Sequence, residues 1–201
     1  EMQRSLVGSE MCIRDSQGTL CKKLYVLLEG KLRVDIIDGL GNVLINELVH
    51  PYWKKSWSEA ARVNGITPDR VANAPYPHEL IPKVKGIFAA ADLLVAYNNQ
   101  FDLNFLEEWG IQAIGKKQFD VMLAFAREYG EWNDFFCDYK WQKLGTAAAY
   151  YGYHFRAHDS LEDVRATLYI FDQMQHSNKR ELFEDYFWED SEDEFDEEEE
   201  W

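Results

Sequence analysis

The apolar positions fall into short blocks early in the chain and into helical spacing further on. Leu24 to Leu28 is a compact apolar run, and Leu32 to Ile37 alternates in part with polar residues. Asp38-Gly39-Leu40-Gly41-Asn42 supplies turn residues before a third block, Val43 to Val49, which Pro51 closes. Blocks of this length between such breakers predict strands, two of them antiparallel around the turn. Leu80, Val84, Ile87 and Phe88 predict a helix from Leu80 to Ala91. Leu93 to Ala96 is continuously apolar, the pattern of a strand buried on both faces. Phe101, Phe105, Leu106 and Trp109 share one face of a helix that starts near Asn99 or Gln100. Further helices are expected from Val121 to Tyr129, from Trp141 to Tyr150, and from Asp159 to about His176 through Leu161, Val164, Leu168 and Phe171. Strands first, then helices around one buried strand, predict an α/β or α+β fold with helices packed on a single sheet.

Two of these helices open with a carboxylate in the first turn. Asp102 follows the buried strand and so stands at its carboxyl end, the edge where open α/β sheets bind ligands. Asp163 lies in the first turn of the last helix, where Asp159 and Glu162 have the spacing of a capping box. His158 immediately precedes that cap. The stretch reads either as an imidazole fixed near a metal-holding carboxylate or as a capped surface helix with an exposed histidine. Trp53, Lys54, Lys55 and Trp57 interleave rings with positive charge, a pattern suited to stacking on bases or to covering a sheet edge.

Composition narrows the class. A chain of 201 residues with 46% hydrophobic and 15% aromatic content can build a proper core. No apolar run has the length of a membrane span, and no signal peptide opens the sequence. Cys12, Cys21 and Cys137 form neither a zinc spacing nor a disulfide framework, which fits a cytoplasmic setting. The net charge of −15 is unevenly spread: from Glu181 onward there are 13 acids and no bases, leaving 23 acids against 21 Lys and Arg elsewhere. The body is nearly neutral, so the low overall pI does not exclude nucleic acid. Residues 179–201 are expected to form an acidic aromatic tail, either a solvated extension or a mimic of nucleic acid, with a helix persisting to about Trp188. Residues 1–20 show neither strand nor helix pattern and are expected to lie outside the fold as a non-native or disordered segment. That leaves 21–178 as the domain.

Asp102 and Asp163 together could share hard divalent cations, Mg2+ or Mn2+, which prefer oxygen ligands and keep waters. Two such ions flank a scissile phosphate in two-metal hydrolysis, and a histidine beside the attacking water can act as its general base. No Gly-rich phosphate loop or Gly-x-Ser-x-Gly elbow competes with this chemistry.

Leu94-Val95-Ala96-Tyr97-Asn98-Asn99-Gln100-Phe101-Asp102-Leu103 resembles the second motif of the DEDD 3′–5′ exonucleases. His158 and Asp163, followed by Arg165-Ala166-Thr167, resemble the third motif of the histidine-bearing subclass, which includes the proofreading epsilon subunit of DNA polymerase III, ribonuclease T and oligoribonuclease. Asn64-Gly65-Ile66-Thr67 is similar to the family's His-Gly-Ile-Thr segment, and the order is kept from about Lys31 to Met174. The resemblance implies a ribonuclease H-like mixed sheet flanked by helices. It implies Asp102 and Asp163 as ligands of two divalent cations, His158 as general base, and Asn98 and Phe101 as contacts to a single-stranded DNA or RNA 3′ end. A polymerase or replication protein is an implied partner. Two departures stand out. Tyr97 replaces a frequent His, and the first motif, an Asp-x-Glu pair on the first strand, is absent: Cys21 to Gly30 holds only Glu29 as an acid. An incomplete or replaced first strand is therefore expected, in a chain without measurable hydrolysis. The alternative is a non-catalytic nucleic-acid-binding or polymerase-partner module.

Overall fold

The computed structural model describes residues 23–28, 32–156 and 159–189. The expected non-native segment 1–20, His158, Glu29 and the acidic run after Glu189 lie outside the described residues.

Three strands open the fold: β1 (Lys23–Leu28), β2 (Arg33–Asp38) and β3 (Val43–Leu48). β2 and β3 pair antiparallel around the expected turn. There the Asp38 carboxylate accepts the N–H groups of Leu40 and Asn42, and Gly41 takes φ +83°, a conformation that favours glycine. Short helices α1 (Ser58–Asn64) and α2 (Pro68–Val71) follow. α3 (Pro77–Ala90) begins one turn earlier than expected, with Pro77 at its first position and the Glu79 carboxylate accepting the Tyr76 N–H at 2.7 Å. Then come β4 (Leu93–Ala96), α4 (Asn99–Glu108), β5 (Lys117–Asp120) and α5 (Val121–Tyr129). A hairpin of β6 (Trp132–Asn133) and β7 (Asp138–Tyr139), then α6 (Leu144–Tyr150) and α7 (Ser160–Gln175), lead to a 3₁₀ turn (Arg180–Tyr186) and β8 (Phe187–Glu189).

The main sheet has the order β3-β2-β1-β4-β5-β8. β1 pairs antiparallel with β2 and parallel with β4, and β4 runs parallel to β5. The position left open by the missing motif is thus filled by a real central strand, Lys-Leu-Tyr-Val-Leu-Leu, which carries no carboxylate. β8 pairs antiparallel with β5, so the stretch taken as the start of a helical tail instead adds the sixth strand.

Two cores follow from the alternation along β4. Leu93 and Val95 pack with Ile37, Phe119, Val164, Ile170 and Phe171, which seats α7 on one face. Leu94 packs with Val34, Ile36, Val84, Phe88 and Leu106, which seats α3 and α4 on the other. A smaller cluster of Leu32, Trp57, Ile66 and Val71 closes the end near α1. Trp57 is buried there and donates its indole N–H to the Ile66 carbonyl, so it cannot serve as an exposed stacking ring.

Candidate active site

Because β1, β4 and β5 are parallel, their C-terminal ends share one edge of the sheet. Asp102 reaches that edge from the first turn of α4, on the inward stripe that also holds Asn99 and Leu106. Its side chain is only 1% exposed. The other expected ligand, Asp163, is half-buried in the first turn of α7. The two helices sit on opposite faces of the sheet, yet both begin at this edge and both touch β1. The general-base candidate, His158, two residues before α7, lies outside the described residues.

A second pair of buried acids fixes these helix starts. Asp120 caps α5 through the N–H groups of Met122 and Leu123, at 2.8 and 3.1 Å. The same carboxylate accepts the N–H groups of Asn98 and Asn99, at 3.4 and 2.7 Å, and so ties the start of α4 to the end of β5. Two helix N-termini, each partly positive, share one negative group. Burial pushes the Asp120 carboxyl above its ordinary range while the four N–H groups pull it down. Asn99 adds an amide bond to Gln118, at 2.9 Å.

Asp35 does the corresponding work for α7. It lies opposite Leu27 in the β1–β2 ladder and is fully buried. Ser160 at the head of α7 donates its hydroxyl to Asp35 Oδ2 at 2.5 Å, Arg33 Nε reaches the same oxygen at 2.7 Å, and Asn46 Nδ2 reaches Oδ1 at 2.6 Å. Burial raises the Asp35 carboxyl, against the lowering effect of these three donors. The expected capping box is not formed: Asp159 makes no side-chain cap, and Glu162 pairs with Arg165 at 2.8 Å. The helix start is held from the sheet instead. Sequence reading missed Asp35 and Ser160, although an acid inside the apolar run Val34-Asp35-Ile36-Ile37 was a visible signal.

Tyr97, in place of the frequent histidine, donates its hydroxyl to the Gln142 carbonyl at 2.7 Å, and burial holds the phenol far above its ordinary value. It is a tie between segments. Asn98 caps α4 with φ +71°, a strained setting for a side-chain-bearing residue. Phe101 points outward, 48% exposed, edge-on to Phe105 at 4.9 Å. The apolar face expected for α4 is therefore offset: Phe101 leaves it and Asp102 joins the buried side.

Among the described residues, no group of three or more His, Cys, Asp or Glu side chains is placed to hold a metal ion, and no helix is long and apolar enough to cross a membrane.

An exonuclease of Escherichia phage 186 is 30% identical over 155 residues, covering 71% of this chain and 78% of that protein. The PolC-type DNA polymerase III of Thermotoga petrophila is 28% identical over 115 residues, covering 56% of this chain and 8% of the polymerase. Exonuclease X, solved with 5′ overhanging duplex DNA, superposes with a TM-score of 0.54 at 19% identity, over 83% of this chain and 98% of that one. The nuclease domain of 3′hExo, a DEDDh family member bound to rAMP, gives 0.57 at 16% identity, over 79% and 92%. Residues 36–171 match the exonuclease family model RNase_T. On this fold and these matches, the chain belongs to the RNase_T exonuclease family and shares the fold of the DEDDh nucleases.

Proposed function

We propose that this chain engages single-stranded nucleic-acid 3′ ends at the edge where β1, β4 and β5 terminate, and that it binds them without measurable hydrolysis. The supporting observation is that the two helices carrying Asp102 and Asp163 in their first turns both begin at this edge, around a central strand that lacks carboxylates. The donor chemistry fits a hard divalent cation, Mg2+ or Mn2+, held by these two oxygen ligands with retained waters. The charge fits one such ion better than two: two ions bring four positive charges, and the two aspartates with a bound phosphate supply about three negative ones. Asp35 and Asp120 cannot make up the difference, since each is already committed to three or four donors. When bound, such an ion supplies charge neutralisation at the attacked phosphodiester.

Around it, the exposed Phe101 ring is placed to stack on the terminal base, and Asn98 stands at the helix start beside the strand end. In a chain that regained the missing acids, His158 would take the proton of an attacking water as its oxygen bonds to phosphorus, while the phosphorus–O3′ bond breaks, O3′ is protonated and a mononucleotide leaves. DNA polymerase context is a further proposal, motivated by the PolC-type match.

The test is release of mononucleotides from a 3′-labelled single-stranded oligonucleotide in Mg2+ or Mn2+. The unaltered chain should bind the oligonucleotide and release nothing. Leu27 lies opposite Asp35 in the β1–β2 ladder, and in sequence it stands two residues before Glu29. Leu27→Asp, by restoring the Asp-x-Glu spacing, should create release that His158→Ala abolishes. Robust release by the unaltered chain would show that two further ligands already exist. Failure to bind any 3′ end would sink the substrate assignment.

A further inference from the structure

β3 runs antiparallel to β2, and β2 antiparallel to β1, so the C-terminal end of β3 reaches the same edge as Asp102 and Asp163. Just beyond it stand Tyr52, Tyr76 and His78. Their ring centroids are 5.3 Å (Tyr52–Tyr76), 5.9 Å (Tyr76–His78) and 6.0 Å (Tyr52–His78) apart, with interplanar angles of 14°, 21° and 14°. A column of three rings would put the outer pair at twice the inner spacing. These near-equal distances instead describe three roughly parallel rings grouped as a patch. We propose that this patch is an accessory binding site for single-stranded nucleic acid, stacking bases a few nucleotides from the 3′ end. The inference rests on the reading of the neighbouring edge as a 3′-end site.

The rings are held in advance. Tyr52 Oη and His78 Nδ1 are hydrogen-bonded at 2.6 Å, and His50 meets Tyr76 edge-on at 4.6 Å. His50 is itself fixed through Nδ1 to the Val71 carbonyl at 2.8 Å and through its N–H to the Pro75 carbonyl at 2.8 Å. Stacking on rings already ordered avoids much of the entropy cost of fixing side chains. The patch is also open: Tyr52 is 49% exposed, Tyr76 39%, and the adjacent Trp53 91%, beyond what packing requires.

Lys54 and Lys55, both exposed, follow directly and suit a polyanion rather than an apolar peptide. Glu79, the nearby acid, is engaged by the Tyr76 N–H. Rings with sequence-tolerant faces beside flexible cations are the means by which proteins hold single strands without base readout. Scale agrees as well. β3 lies two strand spacings from β1, roughly 10 Å, which is about three steps of stacked nucleotide at ~3.4 Å each.

Fluorescence anisotropy with 5′-labelled dT3 and dT12 separates this site from the 3′-end site, since only the longer strand spans both. The unaltered chain should bind dT12 more tightly than dT3. Trp53→Ala, and separately the pair Tyr52→Leu with Tyr76→Leu, should weaken dT12 about tenfold and leave dT3 unchanged. Unaltered melting curves would confirm the fold, and Trp53, largely exposed with its ring beside the exposed Tyr52, gives a variant with little packing to lose. Unchanged dT12 affinity in both variants, with dT3 still bound, overturns the accessory site alone and would leave the patch to a protein partner. Loss of binding to both strands in the unaltered chain overturns the 3′-end reading with it.

Discussion

Four buried or half-buried aspartates stand near one sheet edge, and their surroundings divide them into two kinds. Asp35 and Asp120 accept from three and four donors respectively, so they fix helix starts. Asp102 and Asp163 occupy first turns, where a carboxylate can face a ligand. The first kind carries a pH signature. Burial raises the Asp35 carboxyl above 3.8, so between that value and the raised one the native state holds a proton that the unfolded chain has released. The stability this contributes is complete at low pH and is lost as pH rises through the raised value. Asp35→Asn removes the titration. Its urea midpoint should vary less than the parent's across the acid range, and an unchanged pH dependence would mean that Asp35 titrates alike in the folded and unfolded chain. Asn98 offers a different separation. At φ +71°, Asn98→Ala should cost about 1 kcal/mol and Asn98→Gly almost nothing. If the amide also touches nucleic acid, the glycine variant should keep its melting temperature and bind oligonucleotides more weakly. Equal binding by all three proteins would confine Asn98 to a backbone role.

Among the elements, β8 is the one whose chemistry most misled the sequence. Glu189 pairs with Lys117, Trp188 with Gln118 and Phe187 with Phe119, and the Phe187 ring lies 4.6 Å from Phe119. Phe183, just before it, is fully buried. A chain ending after Tyr186 should lose about 2 kcal/mol for the Phe187 ring alone, and expose the β5 edge. A chain ending after Glu189 should melt like the parent. Equal melting of the two would show that β8 adds nothing to stability. Strands β1 to β4 and helices α4, α5 and α7 were legible because their apolar positions fall in runs of strand length or at helical spacing. β5 was not, since Gln118 and Asp120 are buried polar residues satisfied by neighbours distant in sequence. β8 was hidden by the acids around it. The candidate site was open to sequence reasoning in the same uneven way: motifs nominated Asp102, Asp163 and His158, whereas Asp35, Ser160 and the Tyr52–Tyr76–His78 patch depend on chain segments meeting only in the fold.

For the molecule as a whole, charge opposes the proposed ligand. The net of −15 comes largely from the end of the chain; residues 190–201 contribute nine acids and no base, and without them the balance is 27 acids against 21 Lys and Arg. A polyanionic segment on a protein that binds a polyanion either repels the ligand or occupies its cationic surface, Lys54 and Lys55 included. Both effects weaken single-strand binding, and both are electrostatic. A cut after Arg180, the boundary suggested by charge alone, would confuse this with unfolding, because it also removes Phe183 and β8. The cut belongs after Glu189. The shortened chain should then bind single-stranded DNA more tightly than the full chain at low salt. The gap should close as salt rises, since the screening length falls from ~30 Å at 0.01 M to ~3 Å at 1 M. A gain that persisted at high salt would point to a steric block by the aromatic rings Phe195 and Trp201. Equal affinity at low salt would leave the acidic segment with no part in binding nucleic acid.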